Sequence, residues 1–217
     1  MDHLLPVLPE SWILNWALLI GVFGIAVISP GPDFVIAVRN SLVSGRLSGI
    51  CTAFGFALGV SIHITYVMIG LAAIIAQSIL LFTLIKYAGA AYLFYMGVQA
   101  LRSKGFSEHK ESSPKTKILS PLQSLASGFL TNILNPKATL FFLAVFSQFI
   151  GPDTTIAIKT LFGLTCFTMT FLWFSAVALF LTHPYLKSLF MKAAQWIDRI
   201  CGTALIALGL RLALTTK

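Results

Sequence analysis

The sequence predicts an all-α polytopic membrane protein: six transmembrane helices arranged as two inverted three-helix repeats, with helices 1 and 4 broken. Three observations predict it. Mean hydropathy is +0.89, with 57% hydrophobic and only 10% charged residues, far from the composition of a soluble domain. Six apolar stretches, at 12–42, 49–75, 79–101, 121–150, 156–182 and 194–215, reach the roughly 17 to 25 residues needed to cross hydrocarbon. Proline interrupts two of them at matching places, Ser29-Pro30 in the first and Asn135-Pro136 in the fourth.

The residues before the first stretch include Asp2 and Glu10 and no Lys or Arg, so that stretch is expected to stay in the mature protein rather than be cleaved as a signal. Within it stands Ser29-Pro30-Gly31-Pro32-Asp33. Proline has no amide donor and clashes with the preceding turn, so a helix through Pro30 and Pro32 must interrupt its ladder. In lipid such a break survives only where protein or a water-filled cavity covers it. The second stretch places Gly45, Gly49, Gly55 and Gly59 at two GxxxG spacings, a packing feature, and carries His63 mid-helix between Ser61 and Thr65. The third opens on Lys86-Tyr87-Ala88-Gly89-Ala90-Ala91-Tyr92 and ends at Gly97 and Leu101. The sixth echoes it with Arg199-Ile200-Cys201-Gly202-Thr203-Ala204-Leu205, ending at Gly209 and Leu212. This match has nearly the offset of the proline pair. It defines one membrane domain over 1–217, with repeat 1 at 12–101, a loop at 102–120 and repeat 2 at 121–215. An odd number of crossings per copy makes the second copy inverted, and paired helix breaks in inverted repeats place a binding site at the repeat interface.

The net charge of +8 is read as a topology signal rather than as a nucleic-acid surface. Arg102, Lys104, Lys110, Lys115 and Lys117, against Glu108 and Glu111, make the central loop cytoplasmic. Counting crossings outward puts Arg39, Arg46, Lys187 and Lys192 on the same side. The acidic N-terminus and the turns Ala76-Gln77-Ser78 and Gly151-Pro152-Asp153 then lie opposite. Both termini are outside, with Arg211 and Lys217 on the less favoured side. The alternative is that the first and fourth stretches are re-entrant hairpins, but that would move Lys187 and Lys192 outside. Cys51, Cys166 and Cys201 lack CxxC spacing and read as buried thiols rather than a disulfide or metal site. No P-loop, Rossmann glycine pattern, HExxH or GxSxG is present, so soluble-enzyme chemistry and an ATP-driven pump on this chain are excluded.

Ser29 suits an N-cap and Pro30 a first helical position, so a new helix is expected at the break, with free amides able to bind a carboxylate. Asp33 is either an acid stabilised by the helix dipole or a proton or cation carrier. Asn135 suits an N-cap, Pro136 a first position, and Lys137 opposes the dipole it sits on. Pairing with Asp33 or binding a substrate carboxylate would favour Lys137 there; snorkelling to an interface is the plainer account. If both breaks meet, helix N-termini and Lys137 face a carboxylate and Asp33 faces an ammonium, the complement of a zwitterionic amino acid. His63 is either hydrogen-bonded to a neighbouring helix or part of a proton relay. Asn132, Asn135 and Gln148 read as interhelical hydrogen-bonders, and the Tyr and Trp residues as interface belts or core.

Ser29-Pro30-Gly31-Pro32-Asp33, Gly55 to His63, Lys86 to Leu93, the run Gly128-Phe129-Leu130-Thr131-Asn132-Ile133-Leu134-Asn135-Pro136-Lys137-Ala138 and Gly202 to Leu212 resemble the LysE/RhtB amino-acid exporters over essentially the whole chain. The resemblance implies a permease of the bacterial inner membrane that expels a small amino acid by antiport with protons, as a homodimer and without a cofactor. Pro30, Gly31 and Pro32 would shape the first half of the site and Asn135, Pro136 and Lys137 the second, with Asp33 and His63 as coupling residues. The chain departs from the family at Val60, where many members are acidic, and at Ser147, where many carry proline. Export of a metal ion or another small solute, and a membrane subunit that scaffolds a partner, are the alternatives.

Overall fold

The computed structural model describes residues 11–29, 31–77, 79–103, 118–150, 154–180 and 184–214. Pro30, Asp2, Glu10, Ser78, the loop residues Lys104, Glu108, Lys110, Glu111, Lys115 and Lys117, the turn at 151–153 and Lys217 lie outside the described residues. So do the side chains of Ala76, Gln77, Ser147, Lys187 and Lys192. Among the described residues there is no strand, and eight helices follow one another: α1 (Ser11–Ile28), α2 (Pro32–Ser44), α3 (Arg46–Gln77), α4 (Ile79–Arg102), α5 (Pro121–Ile133), α6 (Pro136–Phe149), α7 (Ile156–Phe180) and α8 (Pro184–Leu214).

Two of the predicted segments are split, as their prolines demand. α1 and α2 form one pair bent by 59°, and α5 and α6 another bent by 57°. α3 and α7 are each long and apolar enough to cross a membrane, and each bent pair qualifies as a unit, giving up to four spans by length and composition among the described residues. α8 starts at Pro184, before the predicted 194, because an apolar scan rejects the turns carrying Lys187 and Lys192 while a helix accepts them.

The first break also lies later than Ser29 and Pro30 imply. The Ser29 amide still donates to the Ile25 carbonyl at 3.1 Å, so α1 holds it. α2 begins at Pro32, and Gly31 is its N-cap, extended at φ −168° with no side-chain cap. The reason is the second proline: Pro32 fills the first helical position, and the residue before a proline is driven out of the helical region. At the second break Asn135 caps α6, its Oδ1 accepting from the Lys137 amide at 3.0 Å. α5 starts on a reciprocal capping box between Ser120 and Gln123 behind Pro121. α2 passes into α3 through Gly45 alone, at φ 87°, a conformation that favours glycine.

Small residues let these helices touch along their backbones. A Cβ on Gly55 of α3 would stand 2.2 Å from the Leu125 carbonyl oxygen of α5, and one on Gly128 of α5 would stand 2.2 Å from that of Thr52. α4 and α8 meet the same way at Gly97 and Gly202. Buried apolar side chains gather in two clusters, one around Leu93, Phe142, Phe146 and Leu205 and a smaller one of Phe34, Ala37, Ala53, Phe56, Phe174 and Val177. Both helix breaks fall between these clusters, where Phe34 and Phe174 of the smaller face Phe23 and Phe142 of the larger across one cavity.

Candidate functional site

That cavity measures about 60 Å³; Ser29, Gly31, Asp33, Asn132, Asn135 and Lys137 line it from both breaks, and Thr170 of α7 adds a further polar side chain. The carboxylate of Asp33, in the first turn of α2, accepts from Asn132 Nδ2 at 2.6 Å through Oδ2 and from Asn135 Nδ2 at 3.1 Å through Oδ1. Both amides come from the second break. Neutral donors satisfy a carboxylate's lone pairs without cancelling its charge, so the acid is held in place and remains able to meet a cation or a proton.

Lys137 crosses in the other direction. Its ammonium lies 3.4 Å from both the carbonyl oxygen and the Oγ of Ser29. A Cβ on Gly31 would stand 3.4 Å from Lys137 Nζ, so the missing side chain makes room for the lysine to lie against the break. Asp33 and Lys137 are also close enough to feel each other's charge. Each half-helix therefore presents one charged residue from its first turn, and each charge is received by polar groups of the other half.

His63 is fully buried on α3 and stands behind the cavity rather than on its wall. Its Nε2 is 2.9 Å from the Asn132 carbonyl oxygen, an acceptor only, so Nε2 carries the hydrogen. Nδ1 is then an acceptor for the Tyr66 hydroxyl at 2.6 Å, with Thr139 Oγ1 at 3.5 Å. The ring stacks on Phe142, with centroids 6.0 Å apart and planes 18° from parallel. Asn132 thus links His63 to Asp33, its backbone taking one and its side chain the other. The remaining oxygen of that amide is turned toward Gly59, where a Cβ would come within 2.6 Å, and has no hydrogen-bond donor among the described residues.

Gly31, Asp33, Asn135 and Lys137 therefore share the cavity, Pro32 and Pro136 start the helices that present them, and His63 reaches it through one intermediate. Pro30 lies outside the described residues. The family model described as LysE type translocator matches residues 24–216. The chain belongs to the LysE type translocator family. This translocator is a transporter, not an enzyme. It is 32% identical over 193 residues to the threonine efflux protein of Escherichia coli K12, covering 88% of this chain and 93% of that protein. It is 34% identical over 208 residues to the uncharacterized membrane protein YrhP of Bacillus subtilis 168, covering 90% and 97%. No solved structure matches the translocator.

The sequence reading placed Asn132 among packing residues and gave Ser29 only a capping role. Asn132 does bridge helices, but to the acid of the site, and Ser29 receives Lys137 rather than capping α2. An apolar segment does not reveal which face a single amide occupies, so neither role could be read from spacing. Val60 falls on the cavity wall, an apolar side chain only 3% exposed.

Proposed function

We propose that this chain exports a small zwitterionic amino acid or amino-acid derivative across the bacterial inner membrane, in exchange for protons, with threonine the first substrate to test. The observation that carries the proposal is the meeting of Asp33 and Lys137 in one cavity, each anchored by the opposite break. A substrate carboxylate would draw on Lys137 and the Ser29 hydroxyl, and a substrate ammonium on Asp33. The threonine efflux relative, similar over nearly its whole length, supports the substrate class. Asp33 is the proton carrier in this scheme, and His63, held between the Asn132 carbonyl and the Tyr66 hydroxyl, is the second coupling residue behind it.

Six crossings in two inverted repeats supply the motion. The near-equal bends of 59° and 57° support this reading, as do the packing of α4 on α8 and of α3 on α7, each joining like positions of the two halves. At about 60 Å³ the cavity is well below the roughly 300 Å³ of a small ligand pocket, so the bent pairs must part to admit substrate. One repeat rocking against the other opens the cavity to each side in turn. Proteoliposomes loaded with labelled threonine are expected to release it several-fold faster than protein-free vesicles when an inward-directed proton gradient is imposed. Release no faster than the control for threonine or any other amino acid of a panel would remove the proposal. Asp33→Asn is expected to abolish uphill export driven by the gradient.

A further inference from the structure

α2 carries polar groups away from the central cavity. Asp33, Ala37, Asn40 and Ser44 recur at the spacing of one helix face. Asn40 therefore stands on the same face as Asp33, roughly 10 Å further along the helix. It is only 2% exposed, and a polar side chain buried in a membrane segment needs a partner or a pathway. Its Nδ2 donates to Thr52 Oγ1 of α3 at 3.1 Å and to Ser127 Oγ of α5 at 3.4 Å. One turn further from the central cavity, the hydroxyls of Ser48 and Ser124 meet, again between α3 and α5. The seam of α2, α3 and α5 is thus polar over two layers, where apolar side chains would pack with no desolvation to offset.

These layers lead to a second cavity, of about 80 Å³, lined by Arg39, Asn40, Val43, Ser44 and Leu119. The Leu119 amide donates to Ser44 Oγ at 3.0 Å, which sets this cavity beside the residues that follow the basic loop. Charge assigns that face to the cytoplasm. Arg39 is exposed there and Asn40 is buried, so one cavity joins a solvent-facing guanidinium to the face that runs on to Asp33. Thr52 and Ser127 use both hydrogens of Asn40 Nδ2, so the end of the amide left for the cavity is its oxygen. A guanidinium binds a carboxylate, and an amide oxygen accepts from an ammonium. Lys137 and Asp33 offer the same two functions in the central cavity.

We infer that Arg39 and Asn40 form a capture site at the cytoplasmic entrance, which takes the carboxylate and the ammonium of a zwitterionic amino acid before the seam of α2, α3 and α5 opens. The inference rests on the transport reading above and adds the route by which substrate enters. A neutral acceptor holds an ammonium less strongly than the Asp33 carboxylate does, so captured substrate moves inward. Such a site sets how fast the central cavity fills and not how tightly it holds its ligand.

Inside-out membrane vesicles with an acid lumen turn the cytoplasmic face outward, and uptake into them reads this entrance. The substrate is threonine, or whichever amino acid of the panel is carried. Arg39→Gln is expected to raise KM about tenfold, while the rate at saturation and the Kd of the purified protein each stay within about twofold. Asn40→Ala is expected to do the same. Arg39→Lys keeps the cation but loses the fork, and its KM is expected to rise about threefold. An unchanged KM in Arg39→Gln, the result for an arginine that serves only topology or lipid, would overturn the inference. So would KM and Kd rising together, the mark of a central-cavity ligand, or a lower saturating rate at unchanged KM, the mark of a structural residue. If Arg39→Gln does not insert, Arg39→Lys decides by the same comparison. Failure of the unaltered protein to move any amino acid is a different result, which removes the transport reading itself.

Discussion

Asn135 does two things with the two ends of one amide: its oxygen caps α6 at the Lys137 amide, and its nitrogen donates to Asp33. The roles separate by substitution. Asn135→Ala loses the cap, worth about 1 kcal/mol, and the bond to a charged acceptor, worth about 1.5 to 3 kcal/mol. Asn135→Ser keeps a capping oxygen but is too short to reach Asp33. The alanine variant is expected to melt several degrees lower in detergent and to export poorly. The serine variant is expected to recover only the cap's share of the melting temperature, about 1 kcal/mol, while efflux stays about tenfold down, the equivalent of 1.4 kcal/mol. Normal efflux in Asn135→Ser would show that the bond to Asp33 is idle. At this scale the sequence was readable wherever a residue type was out of place: prolines in an apolar run, or a lysine in a first turn. It was not readable where the deciding fact is which way a side chain faces.

Helices meet closely at one seam and loosely at its counterpart. α3 lies against α5 with Gly55 and Gly128 in backbone contact, whereas α7 meets α1 over a thinner surface. There a Cβ on Gly24 would touch Met169 of α7 at 3.5 Å, and one on Gly21 would meet nothing within 4 Å among the described residues. If the halves of the chain exchange roles during transport, the loose seam closes when the tight one opens. Leucine at Gly55 or Gly128 cannot fit the tight seam and is expected to hold it apart. Leucine at Gly24 fits the present arrangement and is expected to prevent the other. Both kinds of variant should stop export, but with opposite accessibility. A cysteine at the buried Ser124, in an otherwise cysteine-free background, should react with a water-soluble maleimide about tenfold faster in Gly128→Leu and no faster in Gly24→Leu. Equal labelling in the two would contradict a seam that alternates. The GxxxG spacing foretold close approach but not the partner helix, since small residues mark a contact without naming what fills it. Helix ends were foretold best where side chains cap, as at Asn135, and worst at Gly31, where a second proline shifted the start.

For the whole molecule, direction across the membrane follows from how far each broken helix turns. The bends of 59° and 57° are open to a broken span or a re-entrant loop; we propose that each pair crosses. The contacts agree with onward travel. Ser44, at the far end of α2, accepts from the Leu119 amide at 3.0 Å and so lies beside the start of α5. α1, in contrast, holds to α7 through Trp16 Nε1 and Thr165 Oγ1 at 2.9 Å. If the basic loop between α4 and α5 is cytoplasmic, as its charge predicts, two crossing pairs put both termini outside. Two hairpins would put both termini inside. A C-terminal alkaline phosphatase fusion, active only outside the cytoplasm, is therefore expected to be active, and a green fluorescent protein fusion at the same point to be dark. The same phosphatase fused after Ser103 should be inactive, which fixes the loop independently. An inactive C-terminal fusion together with an inactive one at Ser103 would reassign α5 and α6 as a hairpin, and the inverted repeat would go with it. Arg211 makes the test a strict one, since its charge near the C-terminus favours the cytoplasmic side and an active fusion would mean that the helix count prevails over the local charge.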